Sequence, residues 1–263
     1  MALRNRGNFL RWYDTVSEAA SIWPRYTYDT DCHTGTPVMI PGEYYQFYVN
    51  TPDRVPLPNN SATGDNYLKN ARTNATVDTN PLTILEYALD GPGGGSHSYG
   101  TIECPSVPDG LYYFQVGTWK SNIVEVCQYP DRSMTVSFGN KANIANIYYE
   151  YQLSDYRQRF RIRGYIKDRQ PFIKGSEREE VTTGLTRNYK QHLRGFRTVV
   201  FEGFNDDAHE AAAVMFVHDK LEINGLSVQP RLEGAYKVLT NEFEPYSDGE
   251  FQVWDDGFGV LNV

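Results

Sequence analysis

The chain has 263 residues and a formal net charge of −8, from 25 basic and 33 acidic side chains. This charge opposes general nucleic-acid binding, because the sequence-independent part of that affinity comes from lysine and arginine neutralising phosphates. The 20 tyrosines and 13 phenylalanines, beside only 4 methionines, favour β-sheets over helical bundles. No run approaches the roughly 20 apolar residues of a membrane helix. We therefore expect a soluble, mainly β protein.

The N-terminal sequence and the cysteines give no sign of secretion or of a metal-stabilised fold. The opening sequence MALRNRGNFLRWYD carries arginines where a signal peptide has its apolar core. Cys32, Cys104 and Cys127 are odd in number and widely spaced, which argues against a disulfide framework or a zinc site. We expect synthesis in a reducing cytosol and no cofactor.

The first half of the chain combines a clear hairpin with a region rich in chain breakers. In DGLYYFQVGTWKSNIVEV, residues 109–126, two strand-like runs flank a short bend. Residues 51–100 instead hold proline and glycine clusters that stop regular ladders, and we interpret them as a long insertion with a loop tip at GPGGGS. Within it, residues 80–89 fit either a strand or one short helix.

A change of composition at residues 130–131 predicts a domain boundary, with an N-terminal β domain over 1–130 and a C-terminal β domain over 131–263. The second domain is expected to be a sandwich or curled sheet with one helix packed on it. Its predicted strands lie in MTVSF, IANIYYEYQL, RQRFRIRGYI, RNYKQHLRGFRTVVFEGF, KLEI, LSVQP, EFQVW and GFGVLNV.

One helix is predicted near residues 206–219. Asn205 or Asp206 can cap its N-terminus. An apolar stripe follows at helical spacing, formed by Ala208, Ala211, Ala212, Met215 and Phe216. The Asn224–Gly225 pair beyond it predicts a type I′ hairpin, and Asp248–Gly249 predicts another turn.

The most unusual local pattern is YRQRFRIRG, in which arginine recurs at every second residue: Arg157, Arg159, Arg161 and Arg163. In a strand this period sets all four guanidiniums on one face, where they match a run of carboxylates or phosphates. One interpretation is a contact with an acidic neighbour, or with DNA passing through a lumen. The other is a solvated face whose charges pair with Glu177, Glu179 or Glu180 on an adjacent strand.

Clustered aromatic residues predict an exposed recognition surface. GEYYQFYV and LYYFQV hold more aromatic residues than one face of a small sheet buries, since alternation turns every second side chain outward. Outward tyrosine is typical of protein interfaces and of sugar-binding platforms. The candidates for this surface are Tyr44, Tyr45, Tyr48 and Trp119.

The sequence contains no motif for catalysis or metal binding. A nucleophile elbow, a phosphate-binding loop, a zinc-protease motif and a dinucleotide fingerprint are all absent. His209 and His218 fall on opposite faces of the predicted helix and cannot chelate one ion together. Asp29, Asp31 and His33 lie close in sequence, but such carboxylate pairs are common in turns. We predict no enzyme activity and no metal site.

Two stretches of the chain carry a resemblance to a known family. In the first half, PDGLYYFQV and WKSNIVEV are similar to that family's tyrosine-rich strand, aromatic turn and return strand. In the second half, YEYQLSDYRQRFRIRGYI precedes a helix ending in His-Asp and an Asn-Gly hairpin, in the family's order. On these residues the chain resembles the two-domain tail or neck proteins of Bacteroidetes phages, including crAss-like phages, although residues 51–100 fit that family only loosely.

The resemblance implies two immunoglobulin-like β-sandwiches that assemble into a ring in the virion's tail or neck, after synthesis in the host cytoplasm. The partners would be further copies of the chain and other tail or portal-region proteins, with genomic DNA only as passing cargo and no membrane contact. We expect the arginine strand and the exposed aromatic residues at subunit contacts. The alternatives are a carbohydrate- or receptor-binding virion module and, last, a sandwich-fold enzyme such as a glycan depolymerase.

Overall fold

The structure of the protein is a computed structural model that describes residues 9–10, 12–14, 37–48, 65–88, 96–139, 157–179, 186–231, 236–239 and 247–255. These residues are mainly β, with one helix, α1 (Asp206–Met215). The strands are β1 (Trp12–Asp14), β2 (Val38–Met39), β3 (Tyr44–Tyr48), β4 (Asn66–Asn70), β5 (Thr76–Thr79), β6 (Thr83–Ala88), β7 (Ser96–Glu103), β8 (Gly110–Val116), β9 (Trp119–Ser121), β10 (Val124–Val126), β11 (Ser133–Gly139), β12 (Gln158–Ile166), β13 (Gln170–Glu179), β14 (Thr186–Phe204), β15 (Lys220–Ile223), β16 (Leu226–Ser227), β17 (Lys237–Leu239) and β18 (Ser247–Trp254).

Strand β12 is the junction of the sheet. One of its edges pairs with β11 over residues 158–163. Its other edge pairs successively with β3 at Arg159, with β2 at Arg161 and with β14 over residues 164–166. Gly164, at a φ of +152°, lies where β12 passes from the first two partners to β14. Three groups of strands therefore diverge from one edge of the strand that carries the arginines.

The first group extends from β2 through β10, β8 and β4 to β5. In this group only the β2–β10 pair is parallel. Strand β9 pairs with the same edge of β8 as β10 does, and β1 pairs with β9. The second group runs from β3 through β7 to β6. In the third, β14 pairs with β13 and with β18, and β18 pairs with β17. Beyond β11 lie β15 and then β16.

The core draws on both sides of the predicted boundary at residue 130. Phe9 packs edge-on against three aromatic rings, with centroid distances from 5.6 to 6.5 Å, and those rings belong to Phe138, Phe160 and Phe204. Phe47 stacks on Phe160 at 6.0 Å. Hydrogen-bonded pairs between β12 and the strands β2 and β3 also cross the boundary. The division into two domains and their immunoglobulin-like architecture stay predictions.

The main elements of the sequence analysis are confirmed. The hairpin of residues 109–126 forms from β8 and a return divided into β9 and β10. The Asn205 side chain accepts the Ala208 N–H at 2.8 Å and so caps α1. The helix ends at Met215, and residues 216–219 form turns instead. Asn224 and Gly225 have positive φ values of 51° and 78°, as a type I′ turn requires.

Other expectations need correction. Residues 51–100 are not simply a breaker-rich insertion, because β4, β5 and β6 lie within them, β7 begins in them, and β4 pairs with the central strand β8. The ambiguous segment 80–89 contains the strand β6. Asp248 and Gly249 lie inside β18 rather than in a turn, and Asp248 accepts the Gly203 N–H at 3.0 Å. The predicted strands IANIYYEYQL and GFGVLNV and the tip GPGGG fall outside the described residues.

Candidate functional site

The four predicted arginines alternate with buried residues along β12. Gln158, Phe160 and Ile162 are buried, whereas the arginine side chains are half-buried or exposed. This alternation confirms that the arginines share one face, because successive strand residues point to opposite sides. Most of this face is occupied by intramolecular ion pairs.

Glu43, in the turn before β3, holds the centre of the arginine face. Arg161 donates from Nε and Nη2 to its two carboxylate oxygens at 2.8 and 2.7 Å, a bidentate geometry. The Tyr45 hydroxyl also donates to Glu43 and accepts the Ile40 N–H at 2.8 Å. Arg159 lies farther away, with Nη2 at 3.8 Å from the same carboxylate. Glu43 thus ties β12 to the turn between β2 and β3.

Two other carboxylates pair with the ends of the arginine row. Glu125 on β10, with only 6% of its side chain exposed, accepts from Arg163 at 2.7, 2.9 and 3.1 Å. Glu222 on β15 pairs with Arg157 in a more exposed position. The carboxylates that pair with the arginines therefore come from three places: the turn before β3, β10 and β15. Through these ion pairs the arginine row connects β12 to elements on both of its sides.

The expected partners of the arginines are corrected accordingly. One of the two interpretations was pairing with Glu177, Glu179 or Glu180 on an adjacent strand, but among the described residues the carboxylates come from Glu222, Glu43 and Glu125. Residue 177 and residue 179 lie on β13, which pairs with β14. The side chains of these two residues and the whole of residue 180 lie outside the described residues.

The hydrogen bonds around Glu43 favour its ionised form. Burial by itself raises the pKa of this carboxyl, but the hydrogen bonds from Arg161 and Tyr45 and the nearby guanidinium charges outweigh it, so the net pKa is lowered. The same contact raises the pKa of Arg161. Burial and the bond to Glu43 raise the pKa of Tyr45. At neutral pH the Glu43 carboxylate therefore meets the charged Arg161 guanidinium and the neutral Tyr45 phenol.

The four aromatic candidates divide into exposed and buried positions. Tyr44 is 47% exposed and stays a candidate surface residue. Tyr45 is fully buried by the core and its bond to Glu43, so its prediction as a surface residue is wrong. Trp119 packs against the core with its ring partly buried. The side chain of Tyr48 lies outside the described residues.

Tyr44 and Arg159 lie on one face of the sheet. Arg159 is directly opposite Gln46 in the β12–β3 pair, and Gln46 is two residues from Tyr44. Residues at i and i+2 of a strand share a face, and so do directly opposed residues. With 44% of its side chain exposed, Arg159 is the most accessible of the four arginines. These two residues, the Tyr44–Arg159 patch, are the accessible part of the predicted interface.

His209, His218 and Cys104 are built into the fold. His209 is buried, with Nδ1 2.5 Å from the Tyr236 hydroxyl and Nε2 2.8 Å from Ser247 Oγ. His218 lies beyond α1 with Nδ1 2.9 Å from the Val214 carbonyl oxygen, and burial lowers its pKa. Burial, together with the Glu43 charge, raises the pKa of the Cys104 thiol to about 12, which leaves it protonated at neutral pH.

In the described part of the chain, no cluster of three metal-binding side chains occurs and no helix is long and apolar enough to cross a membrane. Cys127 is a half-buried free cysteine. The suggested turn site at Asp29, Asp31 and His33, together with Cys32, falls outside the described residues.

The sequence analysis missed a set of apolar side chains on short end strands. Val77 on β5 and Val238 on β17 are 40% and 43% exposed. Within the described ranges, neither of these strands has a second strand partner. Valine in a strand normally indicates burial, so only the pairing order reveals that these residues are at an edge. An exposed apolar edge can accept another chain.

Comparisons of this chain with protein-family models, with curated proteins and with solved structures found no match.

Proposed function

We propose that the chain is a non-enzymatic structural component of a phage virion, a tail or portal-proximal ring protein that assembles with itself and with neighbouring tail proteins. The family resemblance of its two motif regions supports this function. The structural observation that carries it is the exposed apolar edge on β5 and on β17. A closed ring needs two different, complementary patches on each subunit.

The two end strands are complementary in chemistry. β5 presents Val77 beside Asp78, and β17 presents Val238 beside Lys237. Pairing the strands of two copies would satisfy backbone groups at both edges and would bring opposite charges together. Short or charged edge strands usually prevent uncontrolled association. Such strands are compatible with an assembly that forms only on a template or through a few specific contacts.

The first test is the protein content of purified phage particles. Quantitative peptide mass spectrometry would scale the copy number of this chain to that of the portal protein. We expect a fixed, simple ratio in particles of the phage that encodes the chain. Absence of the chain from those particles would remove the structural proposal.

The second test measures self-association directly. Val77→Lys and Val238→Lys should each reduce the assembled fraction in analytical ultracentrifugation at high protein concentration. Val217→Lys is the matched control, because Val217 is 46% exposed but does not belong to an end strand. An equal loss in all three variants would contradict edge pairing.

The alternative, a carbohydrate- or receptor-binding virion module, depends on exposed aromatic platforms. Two of its four predicted residues, Tyr45 and Trp119, are buried or packed against the core, so Tyr44 is the platform that we propose to test. Retention on an immobilised host glycan that is lost in Tyr44→Ala would favour this alternative. Equal retention of the wild-type chain and Tyr44→Ala would show that Tyr44 is not a glycan-binding platform.

A further inference from the structure

Strand β13 and the first half of β14 form a long two-stranded antiparallel ribbon. The register pairs residues 170–179 with residues 186–196. On the opposite edge of β14, β18 pairs with residues from Phe196 to Phe204 and not with the residues before them. Among the described residues, the outer edge of β13 and the edge of β14 over residues 186–195 therefore have no strand partner. We call residues 170–179 and 186–195 the β-arm.

The β-arm extends away from the rest of the sheet. β12 and β13 pair with the same edge of β14, first at residues 199–201 and then from Phe196 toward Thr186, so β13 continues in the direction of β12. Beyond Phe196 the described sheet consists of these two strands alone. At about 3.3 Å per residue, residues 171–179 span about 30 Å.

A ribbon of only two strands needs a further partner. A two-stranded hairpin is at best marginally stable by itself in water, and the outer edge of each strand carries backbone N–H and C=O groups that no strand pairs. A strand from another chain can pair with such groups, and the main-chain hydrogen bonds then supply affinity. The two open edges belong to different strands, as a head-to-tail contact between copies requires.

The β-arm also differs in charge from the rest of the chain. Its sequence holds five basic and two acidic residues, whereas the other residues of the chain include 20 basic and 31 acidic ones. The segment 186–195 has three basic residues and no acidic one. Electrostatic complementarity therefore favours an acidic protein surface as the partner. The body of another copy of this acidic chain is such a surface.

We propose that the β-arm binds a second copy of this chain by pairing one of its edges with a strand edge of that copy. This inference rests on the proposed self-assembly and names the element that reaches the neighbouring subunit. Main-chain hydrogen bonds hold the β-arm, and its charge directs it to the acidic body of the neighbour. When every subunit extends its β-arm to the next one in the same sense, the contacts close a ring.

Double-stranded DNA is the competing partner, because its major groove admits a two-stranded ribbon. Affinity for DNA grows with the number of phosphates that basic residues neutralise. The two acidic residues of the β-arm, Glu177 and Glu179, lie at the far end of its register. That end would meet the phosphates with like charge, and the rest of the chain is more acidic still. A protein partner is therefore favoured.

The first test shortens the β-arm and leaves the rest of the sheet in place. Pro171 and Gly195 are directly opposite in the register, so an Asn-Gly pair in place of residues 172–194 closes the ribbon with a two-residue hairpin turn. We expect the shortened chain to melt within a few degrees of the full chain by circular dichroism. Its self-association constant in analytical ultracentrifugation should fall about tenfold or more.

The second measurement identifies the partner in the full chain and does not depend on the folding of the shortened one. Benzoylphenylalanine is incorporated at Gln191, which lies on the β-arm, and light and heavy-nitrogen copies are mixed before irradiation, in concentrated protein and during particle assembly. We expect cross-linked peptides that join a light and a heavy copy. The matched control is Tyr129, which is 82% exposed and lies outside the β-arm, and it should give far fewer such links.

Three outcomes would overturn the proposal. They are links from position 191 within one copy only, equal yields of links between copies from both positions, and a folded shortened chain that assembles like the full one. A shortened chain that assembles normally but loses a gel shift with double-stranded DNA would assign the β-arm to DNA instead. Failure of the proposed function is distinct, because the chain would then be absent from phage particles altogether.

Discussion

Two sets of cations in this protein differ in what surrounds their charges. On β12 the arginines meet carboxylates that come from three other elements, and both Arg161–Glu43 and Arg163–Glu125 lie at 2.7 Å. On β4 and β9, Lys69 and Lys120 lie over the rings of Tyr67 and Tyr113. The ion pairs of the arginine face join strands that are distant in sequence, whereas the contacts of Lys69 and Lys120 include tyrosine rings on the same strand or on the neighbouring strand. What a cation contributes to the fold therefore depends on the partner that the sheet places beside it.

The distance in sequence between charge partners explains why the difference is hard to foresee. Arg161 and Glu43 are 118 residues apart, and Arg163 and Glu125 are 38 apart. A period of two fixes the face on which a cation lies, but the pairing of distant strands decides which acid meets it. Variants that break individual contacts on the arginine face, with exposed ion pairs as controls, test this distinction.

The largest effect is expected from the most buried ion pair. Glu125→Leu leaves the Arg163 guanidinium without its carboxylate, and the loss of one partner of a buried pair costs about 3 to 5 kcal/mol. We expect the free energy of unfolding, measured by urea titration with tryptophan fluorescence, to fall by this amount. A fall below about 1 kcal/mol, as for an exposed pair, would contradict a structural role.

The double variant Glu125→Leu with Arg163→Met separates a buried charge from a lost contact. Two apolar side chains of similar volume often replace a buried pair without loss of stability. We expect the double variant to regain much of the stability that the single variant loses. The matched surface control is Glu202→Gln, whose partner Arg132 is 70% exposed, and it should change stability by less than about 1 kcal/mol.

The second largest effect is expected where β12 changes partners. A Cβ atom on Gly164 would overlap the Val200 carbonyl oxygen and would lie 2.5 Å from Met134 Cε. Gly164→Ala should destabilise the fold by about 2 to 4 kcal/mol, from backbone strain and overpacking together. Circular dichroism melts should show the change. Gly42→Ala is the control, because it has a φ of +79° and open space around it, and its cost should be about 1 to 2 kcal/mol.

Local features of the fold could be predicted from the sequence because short-range chemistry determines them. The Asn205 cap, the alanine stripe of α1 and the Asn224–Gly225 turn all follow from neighbours within a few residues. The separation of β10 from β9 and the inclusion of Asp248 in β18 depend on distant pairing. Turn-type residues in a strand are misread when a long-range ladder outweighs local preference.

The candidate site was predictable only in part for the same reason. Alternation correctly placed the arginines on one face, and Tyr44, one of the four aromatic candidates, is exposed. Alternation puts Tyr112 and Tyr113 on opposite faces, but it could not show that both would be buried, with Lys120 over the Tyr113 ring. Exposure of an aromatic residue depends on what covers each face of the sheet, and the alternation of one strand does not contain that information.

A moderate effect with a defined pH dependence is expected at Glu43. Glu43→Gln removes the charge that Arg161 binds and should cost about 1.5 to 3 kcal/mol at neutral pH, the range for hydrogen bonds to charged groups. The folded-state pKa of Glu43 is lowered from 4.5. Its contribution is therefore complete above the unfolded pKa and is lost as the pH falls through the folded pKa.

The measurement for Glu43 is the urea midpoint between about pH 6 and pH 3. The native chain should lose more stability on acidification than Glu43→Gln, so that the two curves converge at low pH. Parallel curves would contradict a lowered pKa of Glu43 in the folded protein. Glu222→Gln is the control, since its pair with Arg157 is more exposed and should contribute no more than about 1 kcal/mol.

The smallest effect on stability is expected at Arg159, which makes it the best probe of assembly. Arg159 is 3.8 Å from a carboxylate that Arg161 already binds at 2.7 Å, so Arg159→Glu should change the melting temperature very little. Arg161→Glu would unfold the cluster and cannot separate folding from assembly. If the Tyr44–Arg159 patch is a subunit contact, Arg159→Glu lowers the assembled fraction while Arg132→Glu, an equal change of charge at a more exposed site, does not. Equal behaviour of the two variants would show that arginine periodicity on β12 serves the fold alone, and the end strands would then carry assembly.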